Sequence, residues 1–329
     1  MADHPPITVA IPTMNGSRHL RETLRGVLAQ DGVSFDLLIC DDRSTDTTID
    51  CARSVAGDCV RLVVNPERLG LAGNWNRCVK LSRTPFVAVV HQDDVIRPGH
   101  LAAHLRAFEA DPAVGLVASA SGVIDESGVE VHPSVVDRGG LGPLDRTFAA
   151  GAATPLLAAG NPLRCSAVSI RSAAHADVGG FDPAYRYVVD WEFWLRVARR
   201  WSLAWLGDST VDVRWHAESE THRFQTGITD LEETERVLDS ALTDLREHSI
   251  PTGEVESVAH RKLSRAYLNR AHVAIRGGDG RLSRDCLRRS FRFWPGVLGV
   301  IASDPRLAAQ MAAVWAAPSL SGRWFGRSD

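Results

Sequence analysis

Between residues 7 and 94 the chain alternates short apolar runs with stretches of helical period, and three of those runs end in polar clusters. Residues 7–11 read as a buried strand and lead into Pro12-Thr13-Met14-Asn15; Leu20, Leu24, Val27 and Leu28 then follow helical spacing. A second strand, 35–40, runs into Asp41-Asp42-Arg43-Ser44-Thr45-Asp46. A third covers 60–64, a helix is expected around 72–82, and a fourth strand, 85–90, passes directly into His91-Gln92-Asp93-Asp94. Strand and helix alternating at this spacing predict an α/β fold, a mostly parallel sheet flanked by helices. In such sheets ligands bind beyond the carboxyl ends of the strands. The three polar clusters are therefore expected to line one crevice.

After residue 91 the pattern loosens. Residues 114–118 and 165–170 read as strands, 123–131 as a hairpin around Glu126-Ser127-Gly128, and 211–216 as a final strand. Gly179-Gly180-Phe181-Asp182 is a turn, and 189–201 is an amphipathic helix carrying Trp191, Trp194 and Trp201. Beyond residue 221 only helical patterns remain, over 231–248, 255–275 and 282–293, separated by Gly and Pro breaks. The expected organisation is a catalytic domain over 1–220 and an all-helical C-terminal module over 221–329. The stretch 294–325 is apolar with a basic fringe of Arg288, Arg289, Arg292, Arg306, Arg323 and Arg327. Packing back onto the module is preferred for it over lying on an anionic membrane surface.

The net charge of −3 over 329 residues argues against a polyanion partner such as nucleic acid. Six cysteines without a C-x-x-C pair point to free thiols, not to zinc or a disulfide framework. The polar N-terminus carries no signal-peptide pattern, and no run of 18 apolar residues occurs; a cytoplasmic chain is expected, with the inner face of the membrane as a peripheral site for the C-terminal helices. The phosphate-cradling G-x-x-x-x-G-K-[ST], the dinucleotide G-x-G-x-x-G and the serine-hydrolase G-x-S-x-G are all absent.

Asp93 and Asp94 are adjacent acids at the end of a buried strand, an arrangement that is costly unless something positive neutralises it. A hard divalent cation, Mg²⁺ or Mn²⁺, does so and shares its shell with phosphates; a turn or helix cap is the plainer alternative. Asp41-Asp42 offers a carboxylate for a base or ribose, or a cap for the next helix, for which Asp46 is better placed. Asp190 lies in an aromatic surface with Phe193 and Trp194, where desolvation would suit it to general-base work, unless it merely favours a helix N-terminus. His216, two residues after Arg214, is a third metal ligand, a diphosphate contact, or simply structural.

Taken in order, these clusters resemble family 2 glycosyltransferases of the GT-A fold over roughly residues 7–220. The resemblance rests on Val9-Ala10-Ile11-Pro12-Thr13-Met14-Asn15, on Asp41-Asp42-Arg43-Ser44-Thr45-Asp46, and on Asn65 with Gly70-Leu71-Ala72-Gly73-Asn74-Trp75-Asn76. It continues through His91-Gln92-Asp93-Asp94, Gly179-Gly180-Phe181-Asp182, Val189-Asp190-Trp191-Glu192 and the Arg214-x-His216 element. It departs from the family pattern where His91 stands for the first acid of the D-x-D-D run and Val189 for the Glu of an "ED" pair.

The resemblance implies a Rossmann-like sheet, a nucleotide diphosphate sugar donor, a saccharide, lipid-linked or small-molecule hydroxyl acceptor, and inversion at the anomeric carbon. It implies that Pro12, Thr13, Asn15, Asp41, Asp42, Arg68, Asn74 and Asp93 bind the nucleotide sugar. Asp93, Asp94 and His216 would hold Mg²⁺ or Mn²⁺, and Asp190 would take the proton of the acceptor. Asn161, Arg164, Trp191 and Arg214 would serve the acceptor or the diphosphate. Two other readings are kept: a sugar-phosphate nucleotidyltransferase, and a non-catalytic scaffold in a polysaccharide assembly.

Overall fold

The computed structural model describes residues 5–131, 140–219, 224 and 227–316. The chain forms two compact units, Met1–Leu157 with Asn161–Ser219, and Ala158–Gly160 with Glu220–Asp329. The boundary placed at 220–221 lies outside the described residues, as do Arg323 and Arg327.

The first unit begins as the alternation predicts. β1 (Ile7–Thr13), α1 (Leu20–Leu28), β2 (Phe35–Asp41), α2 (Thr48–Ala56), β3 (Val60–Val64), α3 (Gly70–Leu81) and β4 (Phe86–Val89) follow one another. β5 (Val95–Ile96), α4 (His100–Ala110), β6 (Val114–Ile124), β7 (Arg146–Phe148) and α5 (Thr154–Ala158) come next. β8 (Val168–Arg171), α6 (Ser172–Val178), α7 (Val189–Arg200) and β9 (Ser202–Arg214) complete the unit. Alternate residues of β1 and β2 (Ile7, Val9, Ile11, Leu37, Ile39) pack against Leu20, Leu24 and Val27 of α1 and Ala52 and Ala56 of α2, the period-two face of strands meeting the 3.6-period face of helices.

The sheet order is β3-β2-β1-β4-β8-β6-β9-β5, with β7 paired to β9. β1, β2, β3 and β4 are mutually parallel. The second half is mixed, not mostly parallel: β8 is antiparallel to both β4 and β6, and β9 is parallel to β6. A four-residue buried strand has the same pattern in either direction, so nothing in its sequence announced the reversal. Its consequence is positional. Because β8 is reversed, its amino end lies at the sheet edge where β1, β2 and β4 have their carboxyl ends; because β6 and β9 run with β4, Arg214 at the end of β9 arrives there too.

Three local expectations change. The strand begun at 114 continues to Ile124 and runs into the expected hairpin, in which Ile124 bridges Glu130, the Val131 N–H bonds to the Val123 carbonyl, and Asp125 Oδ1 accepts the N–H groups of Ser127 and Val129. Residues 165–167 form a turn of 3₁₀ helix ahead of β8. The last strand starts at Ser202, directly after α7, with no Gly or Pro to mark the junction.

The second unit is helical over its described length: α8 (Thr229–Glu247), α9 (Gly253–Arg276), α10 (Gly280–Phe293), α11 (Val297–Ala302) and α12 (Pro305–Ala316). Ser264 and Ser290 exchange hydroxyl-to-carbonyl bonds of 2.9 and 2.8 Å across α9 and α10, a close approach that small side chains permit. Arg270 grips Asp230 through two bonds of 3.0 and 2.7 Å. Val297, Ile301, Met311 and Val314 are buried in this unit, whereas Leu298 and Trp315 are exposed. Among the described residues no helix is long and apolar enough to cross a membrane.

Candidate active site

The loops at the carboxyl edge are tied to one another by side chains. The Gln92 amide accepts the Met14 N–H (2.9 Å) and donates to the Met14 carbonyl (3.1 Å), joining the loop after β1 to the loop after β4. Gly16 makes room for this amide, since a Cβ there would meet Gln92 Oε1 at 2.1 Å. Asn15 takes a left-handed conformation, φ 49°, which Asn tolerates; it donates its N–H to Ser44 and accepts that of Thr45, each at 2.8 Å.

Several residues expected to meet the nucleotide hold this scaffold together. Asp41 is fully buried and accepts from Thr13 Oγ1, Ser44 N–H and Ser44 Oγ. Asp42, 3% exposed, accepts from Asn65 Nδ2 and from the N–H groups of Leu69 and Gly70 at the start of α3. Buried Asn74 donates to the Cys40 carbonyl and accepts from Asn65. The cap assigned to Asp46 is made, its carboxylate receiving the Thr48 N–H at 3.0 Å. Pro12 is half-buried in β1; Arg68 and Asn15 are exposed.

Asp93 and Asp94 stand with His91 as a trio whose donor atoms, one from each, lie within 4.8 Å of one another. Asp94 is 3% exposed and accepts from Ser166 Oγ (2.5 Å) and from the Arg214 N–H (2.8 Å). Burial, aided by the neighbouring charge of Asp93, pushes its pKa up to about 6. For Asp93 burial acts the same way, but the His216 hydrogen bond and the charge of His91 outweigh it and the carboxyl lies below its ordinary value. Two carboxylates and an imidazole whose Nδ1 lies 3.9 Å from Asp94 Oδ2 suit a divalent cation as a donor set. His216 stands beside the trio, its Nε2 2.9 Å from Asp93 Oδ2, and His91 is the histidine within the trio itself.

Arg214 also differs from its expected role. Its side chain is wholly buried, and it donates to the carbonyls of Asp93, Asp125 and Glu126 and to Glu22. A guanidinium so engaged is a strut between loops and does not face a diphosphate. Trp191, expected against a sugar, is 4% exposed and donates its indole N–H to the Leu157 carbonyl at 2.7 Å. The first turn of α7, which carries Asp190, is anchored by this aromatic side.

Asp190 accepts the Trp191 N–H (2.6 Å) and the Asn161 amide (3.2 Å). Burial raises its pKa, partly opposed by these bonds and by the charges of His91 and Arg164. His91 thus acts electrostatically on Asp93, Asp94 and Asp190 alike. The Cys165 thiol is likewise pushed up by burial and then by the charges of both Asp190 and Asp94. The acid of α7 and the acids after β4 therefore share one neighbourhood.

The matching family model, described as Glycosyl transferase family 2, covers residues 8–167. An uncharacterised protein of Mycobacterium tuberculosis, MT1568, is 32% identical over 256 residues, 73% of this chain and 76% of its own. The structure of S. aureus TarS 1-349 with UDP-GlcNAc matches at a TM-score of 0.59 and 15% identity, covering 98% of this chain and 93% of that one. The mannosyltransferase PcManGT from Pyrobaculum calidifontis, with GDP-Man and Mn²⁺, matches at 0.56 and 16%, covering 98% and 88%. At those identities the structural likeness speaks for the fold, and the family model speaks for the chemistry, which sets aside the nucleotidyltransferase and scaffold readings. The chain belongs to glycosyltransferase family 2 and is a glycosyltransferase of the GT-A fold.

Proposed function

We propose that the chain transfers a sugar from a nucleoside diphosphate sugar to an acceptor hydroxyl with inversion at the anomeric carbon, with Asp190 as the general base. The observation that carries this reading is the shared neighbourhood of Asp190 with Asp93 and Asp94 around His91. The nucleotide-sugar complexes of TarS and PcManGT support the donor class.

Asp93, Asp94 and His91 would hold Mg²⁺ or Mn²⁺, and a cation there supplies charge stabilisation to the departing diphosphate. Asn15 and Arg68, exposed on the loops after β1 and before α3, are the side chains available to the nucleotide. Thr13, Asp41, Asp42 and Asn74 preorganise those loops from beneath. Asp190 removes the proton from the acceptor hydroxyl while that oxygen forms its bond to the anomeric carbon; the bond from that carbon to the diphosphate oxygen breaks, and the electron pair leaves with the diphosphate. Partial desolvation raises the proton affinity of Asp190, which suits a base, and the Trp191 N–H on Oδ1 with the Asn161 amide on Oδ2 fixes the orientation of its carboxylate.

Release of nucleoside diphosphate from UDP- and GDP-sugars in the presence of Mn²⁺ tests the reading. Asp190→Asn is expected to lower turnover by about 10²–10⁴-fold while leaving nucleotide affinity unchanged. Turnover at the wild-type rate in that variant would overturn the assignment.

A further inference from the structure

The net charge of −3 conceals a strong polarity within the helical unit. Residues 257–303 hold ten basic residues against two acids, whereas α8 holds seven acids against two bases. We propose that the arginine row of α10, with the tryptophans beside it, docks this unit onto a lipid surface rich in anionic headgroups. The inference is independent of the catalytic reading.

Arg281, Arg284, Arg288 and Arg292 follow one another at intervals of three and four, which sets them in one row along α10. The opposite face, Ser283, Cys286, Leu287 and Ser290, is buried. In the row Arg281, Arg288 and Arg292 are exposed and Arg284 is half-buried. Among the described residues the one carboxylate within reach of the row is Asp285, 4.0 Å from Arg288. The acids of α8 do not compensate it. Arg270 holds Asp230, and Arg289, off the row, holds Glu232 and Glu235. Those acids are paired inside the unit, which leaves them unsuited to receive the row of a second copy.

Aromatic rings stand among the cations. The Arg284 guanidinium lies 5.6 Å from the Trp315 ring, and those of Arg261 and Arg265 on α9 lie 5.4 and 5.9 Å from Trp294, which ends α10. Trp315 is 48% exposed, and Leu298 on α11 is 58% exposed. A soluble polyanion needs the cations alone. Exposed Trp and Leu in the same unit suit the boundary between headgroups and acyl chains, where Trp concentrates. Arginine attracts anionic headgroups within about a Debye length, and its apolar stem can lie along the surface that the rings provide.

The test sediments the full chain with vesicles of phosphatidylcholine alone and of phosphatidylcholine mixed with phosphatidylglycerol. Binding is expected to the mixed vesicles, weakening as salt rises, and not to the neutral ones. Replacing all four arginines of the row by Gln should lower the partition onto mixed vesicles by at least about tenfold. Trp315→Ala should lower it severalfold. Thermal unfolding checks that each variant folds; should the fourfold variant fail, Arg281→Gln with Arg288→Gln changes exposed positions only and should still weaken binding. Release of nucleoside diphosphate in solution should be unchanged in these variants. Equal partition onto both vesicles, or full binding by a folded variant lacking the row, would overturn the inference. Wild type that binds dextran sulfate but not mixed vesicles would make the row a polyanion site and overturn it as well. Dimers in sedimentation velocity that vanish in the variant, without vesicle binding, would give the face to a second copy instead.

Discussion

Ser166 ties Asp94 to His91: its hydroxyl donates to Asp94 Oδ2 at 2.5 Å and accepts the His91 N–H at 2.9 Å. The serine comes from the 3₁₀ turn ahead of β8, 72 residues from the carboxylate it holds. Two members of the trio are thus positioned by a residue that is not itself a ligand. Ser166→Ala should weaken Mn²⁺ binding by about 10–100-fold, the usual effect of losing an outer-shell partner. A titration of Mn²⁺ in the presence of nucleotide checks this, and an unchanged affinity would show the hydroxyl to be dispensable.

Asp190 must be deprotonated to act as a base, and its pKa is raised by burial. Transfer should therefore rise with pH through an inflection above the ordinary aspartate value of about 3.9. Asn161→Ala removes a bond that favours the charged form, so the inflection should move to higher pH with the plateau rate less affected. The pH profile of kcat/KM for the two proteins decides the matter.

His100 and His104 lie on one face of α4, fully buried, with ring centroids 4.1 Å apart. Burial drives His100 down to about 3 and His104 well below its ordinary value. For a histidine with a lowered folded pKa, the stabilisation is complete above about 6.5, the unfolded value, and is lost as pH falls towards the folded value. At pH 5 His100 alone should remove about 2 kcal/mol of stability relative to neutral pH. Denaturant unfolding at pH 7.5 and pH 5 measures the loss, and His100→Gln with His104→Gln should shrink the difference between them. An undiminished difference would place the titrating groups elsewhere.

Asp42 accepts the N–H groups of Leu69 and Gly70 ahead of and at the first turn of α3. Asp42→Ala should cost about 1–3 kcal/mol, because buried donors lose a charged acceptor. The loss should appear as a lower Tm in the absence of any nucleotide, which a residue serving only the base would not produce.

Arg214 links Asp93, Asp125, Glu126 and Glu22 from a fully buried position. Arg214→Lys keeps the charge but cannot reproduce the planar fork. It should destabilise the folded chain by about 1–3 kcal/mol, because backbone carbonyls lose donors that the fork supplied. Chemical denaturation tests this; a stability within about 0.5 kcal/mol of wild type would show the planar fork to be dispensable.

The sequence by itself determined the first half of the sheet and the edge where the chemistry collects. Apolar runs that end in Asn15, Asp41-Asp42 and Asp93-Asp94 are local signals, and parallel strands necessarily bring their carboxyl ends to one side. Only the tertiary structure decided what each polar side chain does there. The reversed β8 delivers Ser166, and β9 delivers Arg214 and His216, from more than 70 residues away. Thr13 and Ser44 hold Asp41, Asn65 with the Leu69 and Gly70 N–H groups holds Asp42, the Leu157 carbonyl holds Trp191, and Ser166 leaves His91 beside the acids. Periodicity records which face of an element is apolar; it carries no information on which distant donor will satisfy a given carboxylate, and that pairing separates a ligand from a strut.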